Sequence, residues 1–204
     1  MANVVKHEKR RKEILTKALD VFVDEGFENT TFQKIADRCG ITRTTLYIYF
    51  RNKKEVFNYS IKLLLATVED DIKLIQADGS LGSVEKITRV LLDILNLLEE
   101  NRKLLYVVLD YLLFVSKNNT DSEMKVRRRT IRLRHILASL VIAGIKAGEL
   151  KPVSVKTADD FLYAFIEAAI YRLVVLRQEN ISELKETAAF AVGSLAVGDG
   201  RPEL

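Results

Sequence analysis

One cysteine, two prolines, two histidines and no tryptophan occur in this chain of 204 residues. A single thiol excludes an internal disulfide and fits a reducing compartment, so a cytoplasmic location is expected. His7 and His135 are far apart, with no Cys or acidic cluster at ligand spacing, and no metal site is expected. So little proline, with only nine glycines, leaves room for long uninterrupted elements. There is no N-terminal apolar stretch of the kind a signal peptide needs. The longest apolar runs, 104–116 and 136–145, are too short to cross a bilayer, and Asp110 interrupts the first. The chain also lacks a Gly-rich phosphate loop, a metal-spaced His/Glu pair and a nucleophile elbow. An enzyme is therefore not expected, nor is a cofactor.

What is present is helix. At 48% hydrophobic residues the chain can bury a full core. Apolar residues recur at helical spacing, without strand alternation or internal repeat. The pattern predicts helices over about 6–25, 54–76, 83–100, 102–117, 121–147, 155–178 and 183–196, besides two short ones near residue 40. Ser83, Ser182 and the Thr120/Glu123 capping box are expected to start their helices. Gly26-Phe27 and Gly148 are expected to stop theirs. The tail from Gly198 is expected to fray.

The two short helices carry the chemistry. Thr30 is expected to N-cap the first, with Gln33 closing a capping box. Phe32, Ile35 and Ala36 share one inward face. Gly40 suits the left-handed turn that ends a helix, and Ile41 plugs the core there. Thr42 then caps the second helix, whose Leu46 and Phe50 face inward. That leaves Thr42, Arg43, Thr44, Thr45, Tyr47 and Tyr49 largely outward. A face rich in hydroxyls, with one Arg and two Tyr, is what a helix-turn-helix presents to DNA. Arg can bond guanine bidentately and Thr offers a hydroxyl and a methyl. Tyr and Lys reach phosphates, and Lys53 at the start of the following helix is placed in that role.

Charge agrees. Residues 1–58 hold 12 Lys/Arg against 8 Asp/Glu, whereas residues 59–204 hold 20 of each. The whole excess of +4 lies with the proposed reader of DNA. An excess so modest makes two paired modules the expected binding unit. The composition turns to apolar helices after about residue 58, so the expected domains are 1–58 and 59–204. No Gly/Pro linker divides them, and the helix from Lys54 is expected to bridge them.

The stretch from Arg10 to Phe57 resembles the DNA-binding domain of the tetracycline-repressor (TetR/AcrR) family of bacterial transcription regulators. The matching residues are Ile14, Ala18, Phe22, Gly26-Phe27, Thr30-Thr31, Ile35-Ala36, Gly40-Ile41, Thr42, Thr45-Leu46-Tyr47, Tyr49-Phe50 and Lys53-Lys54-Glu55. Cys39 stands where alanine is usual. The segment 144–150 resembles a turn common before the family's last two helices. The resemblance implies an all-α fold of about nine helices: a three-helix DNA-binding domain, a bridging helix, and a larger ligand-binding and dimerisation domain. It adds Thr30 and Thr31 to the DNA-facing set. It also implies a homodimer through the last two helices, placed here at Phe161, Phe165, Ala169, Leu173 and Leu176. The implied function is a repressor released from a palindromic operator when a small-molecule effector enters the larger domain. The alternative with the same fold is a DNA-bound architectural or cell-division protein without a ligand.

Helix 102–117 is apolar nearly all round, with Tyr106, Asp110, Tyr111 and Phe114 as its unusual members. An apolar cavity with a few polar groups is the usual ligand site. It is expected among helices 54–77, 102–117 and 121–147. Two readings stay open. Arg132 and His135 can meet an acidic ligand, or the basic run from Lys125 to Arg134 is a solvated face partly paired with Glu69, Asp70 and Asp71. Asp110 likewise shares a stripe with Lys103 and Lys117 at seven-residue intervals, which a surface would also explain.

Overall fold

The computed structural model describes residues 2–117 and 123–198. Among them are nine helices and no strand: α1 Ala2–Asn29, α2 Phe32–Cys39, α3 Arg43–Tyr49, α4 Lys53–Ala77, α5 Ser83–Glu100, α6 Arg102–Lys117, α7 Glu123–Lys146, α8 Val155–Val174 and α9 Ser182–Leu195. The chain is all-α, as its periodicity predicts. Thr120, half of one expected capping box, and the tail from residue 199 lie outside the described residues. No described helix is long and apolar enough to cross a membrane.

The chain divides into two compact units, Met1–Glu69 with Tyr106–Phe114, and Asp70–Leu105 with Val115–Leu204. Helices α4 and α6 each contribute residues to both. The sequence places its boundary near residue 58 and keeps residues 106–114 out of the first domain.

In the first unit α1 buries Ile14, Leu15, Ala18, Val21 and Phe22, one face at helical spacing. The helix breaks at Gly26, whose φ of 75° and ψ of 169° lie outside the helical region, and helical bonding then resumes to Asn29. Glycine tolerates that φ because it lacks a Cβ. Phe22, Phe27 and Phe57 pack with Tyr111, with ring centroids 4.4 to 5.9 Å apart. Such ring clusters dominate the energetics of a small core.

The caps of α2 and α3 follow local rules, with one shift. Thr31, not Thr30, is the N-cap of α2: its φ of −116° is extended and its hydroxyl accepts from the Lys34 N–H. Thr30 is one residue too early. It is fully buried, and its hydroxyl donates to the Gly26 carbonyl at 2.6 Å. Gln33 does not close a capping box but bonds Asp37. Gly40 is left-handed, at φ 65° and ψ 38°, and Thr42 caps α3 by accepting from Thr45 N–H.

In the second unit α5 buries Ile87, Val90, Leu91, Ile94 and Leu95 and packs against α7, α8 and α9. Its first residue is Ser83 rather than its cap. The cap position falls to Gly82, and the Glu149 carboxylate accepts the Ser83 N–H instead. The approach is close. A Cβ at Gly144 would stand 2.7 Å from the Leu150 side chain and 2.9 Å from that of Ser83. Gly148 turns the chain at φ 73°, as expected of the stop. Likewise α9 starts at Ser182 with Ile181 in the cap position, and Asn180 Oδ1 accepts the Ser182 N–H at 2.8 Å. Helix α8 ends at Val174, earlier than the apolar pattern predicts, and Arg177 takes a left-handed φ of 53°. Arg102 holds the segment after it by donating to the carbonyls of Gln178 and Glu179.

Candidate nucleic-acid interface

Leu46 is fully buried where α3 packs on α2, which fixes the direction of every other α3 side chain. Thr42, Arg43, Thr44, Tyr47 and Ile48 are exposed, and Thr45 and Tyr49 are half-buried. The hydroxyls of Thr42 and Thr45 are 2.8 Å apart. Arg43 Nη2 donates to Tyr47 Oη at 3.2 Å, and its guanidinium lies 5.7 Å from the Tyr47 ring centre. That ring also packs on Phe32, 4.8 Å away. Thr31 is exposed beside this surface at the start of α2. Of the DNA-facing residues expected from sequence, the structure therefore brings Thr31, Thr42, Arg43, Thr44, Thr45, Tyr47 and Tyr49 onto one module.

Two expected members are placed otherwise. Thr30 is internal, as described above. Lys53 uses its ammonium inside the protein: Nζ donates to the carbonyls of Phe27 at 2.9 Å, Glu28 at 2.7 Å and Thr30 at 2.9 Å. All three of its protons have partners. Burial pushes its pKa down from the ordinary lysine value, and the Glu28 charge opposes that shift only partly. Lys53 is thus a cation at the carbonyl end of α1, where the last turn has no basic residue of its own. It is not a free phosphate clamp.

Other groups complete the surface without a signal in the sequence. His7 stacks on Tyr49 at 4.5 Å, and Arg11 lies 4.3 Å from the Tyr59 ring centre and 5.4 Å from that of Phe50. These contacts set the basic first turns of α1 beside α3. On α2 the cations are engaged, Lys34 with Glu25 at 2.6 Å and Arg38 with Asp24 at 2.7 Å. Cys39 is buried, its thiol facing the Ile14 carbonyl. Burial pushes the thiol pKa up, against the opposing charges of Lys17, Arg10 and Arg38. A thiol held protonated and enclosed is unreactive.

The ligand residues expected from sequence fall in two units, Tyr106, Asp110 and Tyr111 in the first and Arg132 and His135 in the second. Tyr106 and Asp110 are exposed on α6, whose buried side is Leu104, Val107 and Tyr111. Asp110 is polar because it faces solvent. Tyr111 is only 3% exposed and belongs to the ring cluster with Phe27 and Phe57. Arg132 and His135 are exposed on α7. The side chain of Phe114 and those of the basic run 125–129 lie outside the described residues. Arg134 binds Asp159 and Asp160 of α8. Of the expected dimer residues, Phe161 and Leu176 are exposed and Phe165 half-buried, whereas Ala169 and Leu173 are buried within the unit. The apolar stripe on α8 is wide because it has an inner and an outer edge, and those two residues lie on the inner one.

A capped helix, a left-handed glycine turn and a second short helix with an outward face of Arg, Thr and Tyr define a helix-turn-helix reader of duplex DNA. Residues 14–59 match the family model of the bacterial regulatory proteins, tetR family. The fatty acid metabolism regulator protein of Bacillus subtilis (strain 168) is 25% identical over 172 residues, covering 82% of this chain and 84% of that protein. In structure the chain is similar to a TetR transcription regulator from Haloarcula marismortui ATCC 43049, with TM-score 0.82, 19% identity and coverage of 93% and 100%. It is also similar to the regulator FadR from Bacillus subtilis in complex with stearoyl-CoA, with TM-score 0.72, 21% identity and coverage of 88% and 94%. The chain carries the DNA-binding module of the tetR family over residues 14–59. It is a DNA-binding transcriptional regulator, and its relatives are regulators rather than enzymes.

Proposed function

We propose that the chain acts as a homodimeric repressor that leaves a palindromic operator when a small acyl ligand binds. The observation that carries this reading is the exposed face of α3, held in a fixed direction by Leu46 and the Thr42 cap. A second observation supports pairing. Phe161, Ala164, Ala168, Tyr171 and Val175 form an exposed apolar stripe along α8, and Phe190 and Val197 are exposed on and just after α9. Small residues in such a stripe let two helices approach closely. Two copies joined by a twofold axis would carry two reading heads, which read half-sites about 34–36 Å apart. An acyl-CoA is supported as the effector class by the FadR neighbour and by the Bacillus fatty acid regulator. Helices α4 and α6 supply residues to both units, so they are the proposed route from ligand to reading head.

The test uses the full-length protein and a duplex selected from a random pool. Stearoyl-CoA should weaken operator binding about 5- to 150-fold, the usual range of coupling between sites. Free CoA should not. If no acyl-CoA of any chain length changes the affinity, the effector class is wrong. In sedimentation, Phe161→Asp with Phe190→Asp should give monomers. A well-folded dimer of that double variant would refute the proposed face.

A further inference from the structure

We propose that Thr44 and Ile48 form a methyl ridge that reads a thymine in each operator half-site. This rests on the DNA-binding reading and adds the base that is read. On α3 each residue turns about 100°, so the residues two before and two after the buried Leu46 point directly away from the core. Those residues are Thr44 and Ile48, one turn apart and in line. Ile48 is 69% exposed and Tyr47 beside it 50%. A single exposed apolar side chain is ordinary on a protein surface. Ile48 differs in its setting. The Tyr47 ring is packed against Phe32 and the Tyr49 ring against His7, so neither covers it. Arg43 and Tyr47 lie along one flank and Thr45 along the other.

The chemistry of the bases then selects the partner. In the major groove only thymine displays a methyl group. Helix α3 carries no carboxylate to accept from cytosine and no Asn or Gln to pair with adenine. What its outermost line offers is the Thr44 methyl and the Ile48 side chain. A helix of seven residues is about 10 Å long, within the roughly 12 Å width of the groove, so its second turn can reach bases as well as its first.

The experiment uses the full-length protein and a duplex recovered by selection from a random pool. Each thymine is replaced in turn by uracil, which removes only the methyl. One symmetric position should lose affinity about fourfold per half-site, the worth of one buried methyl-sized group. Ile48→Ser should bind the thymine and uracil duplexes alike, and Ile48→Val should keep most of the difference. Circular dichroism of Ile48→Ser should be unchanged, since the residue is at the surface. The proposal is overturned if no thymine shows the penalty, or if Ile48→Ser keeps it in full. If the unsubstituted protein binds selected and random duplexes equally, the regulator reading falls as well.

Discussion

The reading head and the larger helical unit close their helix ends differently. In the head, α2 and α3 are capped from within, by Thr31 and Thr42 three residues from the N–H groups they accept. In the larger unit Ser154 and Asn180 close the starts of α8 and α9 locally too, but the start of α5 and the segment after α8 are held from far along the chain. Glu149 accepts the first N–H of α5, and Arg102 holds the carbonyls of Gln178 and Glu179 after α8. A locally capped helix keeps its ends when its neighbours shift. A remotely capped one registers any movement of the partner element.

Four substitutions can sharpen or break this contrast. The largest effect is expected at Tyr111, an α6 residue in the head's ring cluster. Tyr111→Ala should cost about 3–5 kcal/mol, as for other large buried aromatics. Hydrogen exchange should show the lost protection in α1 and the first half of α4. If only α7 to α9 lose protection, residues 106–114 do not belong with the head.

Next is Lys53, the exception within the head, because it holds the end of α1 from the start of α4. Lys53→Met should lower stability by about 2–3 kcal/mol, as expected when bonds to a charged donor are lost and carbonyls are left unpaired. Urea unfolding measures that. The slope of log affinity against log salt should stay unchanged, because no phosphate contact is lost. A slope lowered by about one unit would return Lys53 to the DNA backbone.

The smallest pair compares the two capping modes directly. Thr42→Ala and Glu149→Ala each remove one cap, worth about 1 kcal/mol. Thr42→Ala should act only in the head. Glu149→Ala should raise exchange both at the start of α5 and around the 144–150 turn. Equal, local effects from both would erase the distinction drawn above.

The same contrast explains what the sequence discloses. The existence and order of the helices, the Gly40 turn, the Thr42 cap and the outward set on α3 follow from signals within four residues of one another. Thr31 and Thr30 are the limit of that reading: two adjacent threonines offer the same cap, and only the backbone angle decides. Lys53, His7 and Glu149 act on partners many residues away, and periodicity carries no record of that. Tyr111 and Asp110 look alike as odd members of an apolar helix. Their opposite fates depend on which side of α6 meets the ring cluster. Ala169 and Leu173 belong to the same stripe as Phe161, and only packing tells an inner edge from an outer one.

The pairings on the α3 surface have a consequence for binding itself. Holding a mobile side chain at an interface costs about 0.5–1.5 kcal/mol of entropy. Here the Thr42–Thr45 hydroxyls, the Arg43–Tyr47 contact and the Tyr49–His7 stack order these side chains before any duplex arrives. Much of that loss therefore falls in folding rather than in any later binding step.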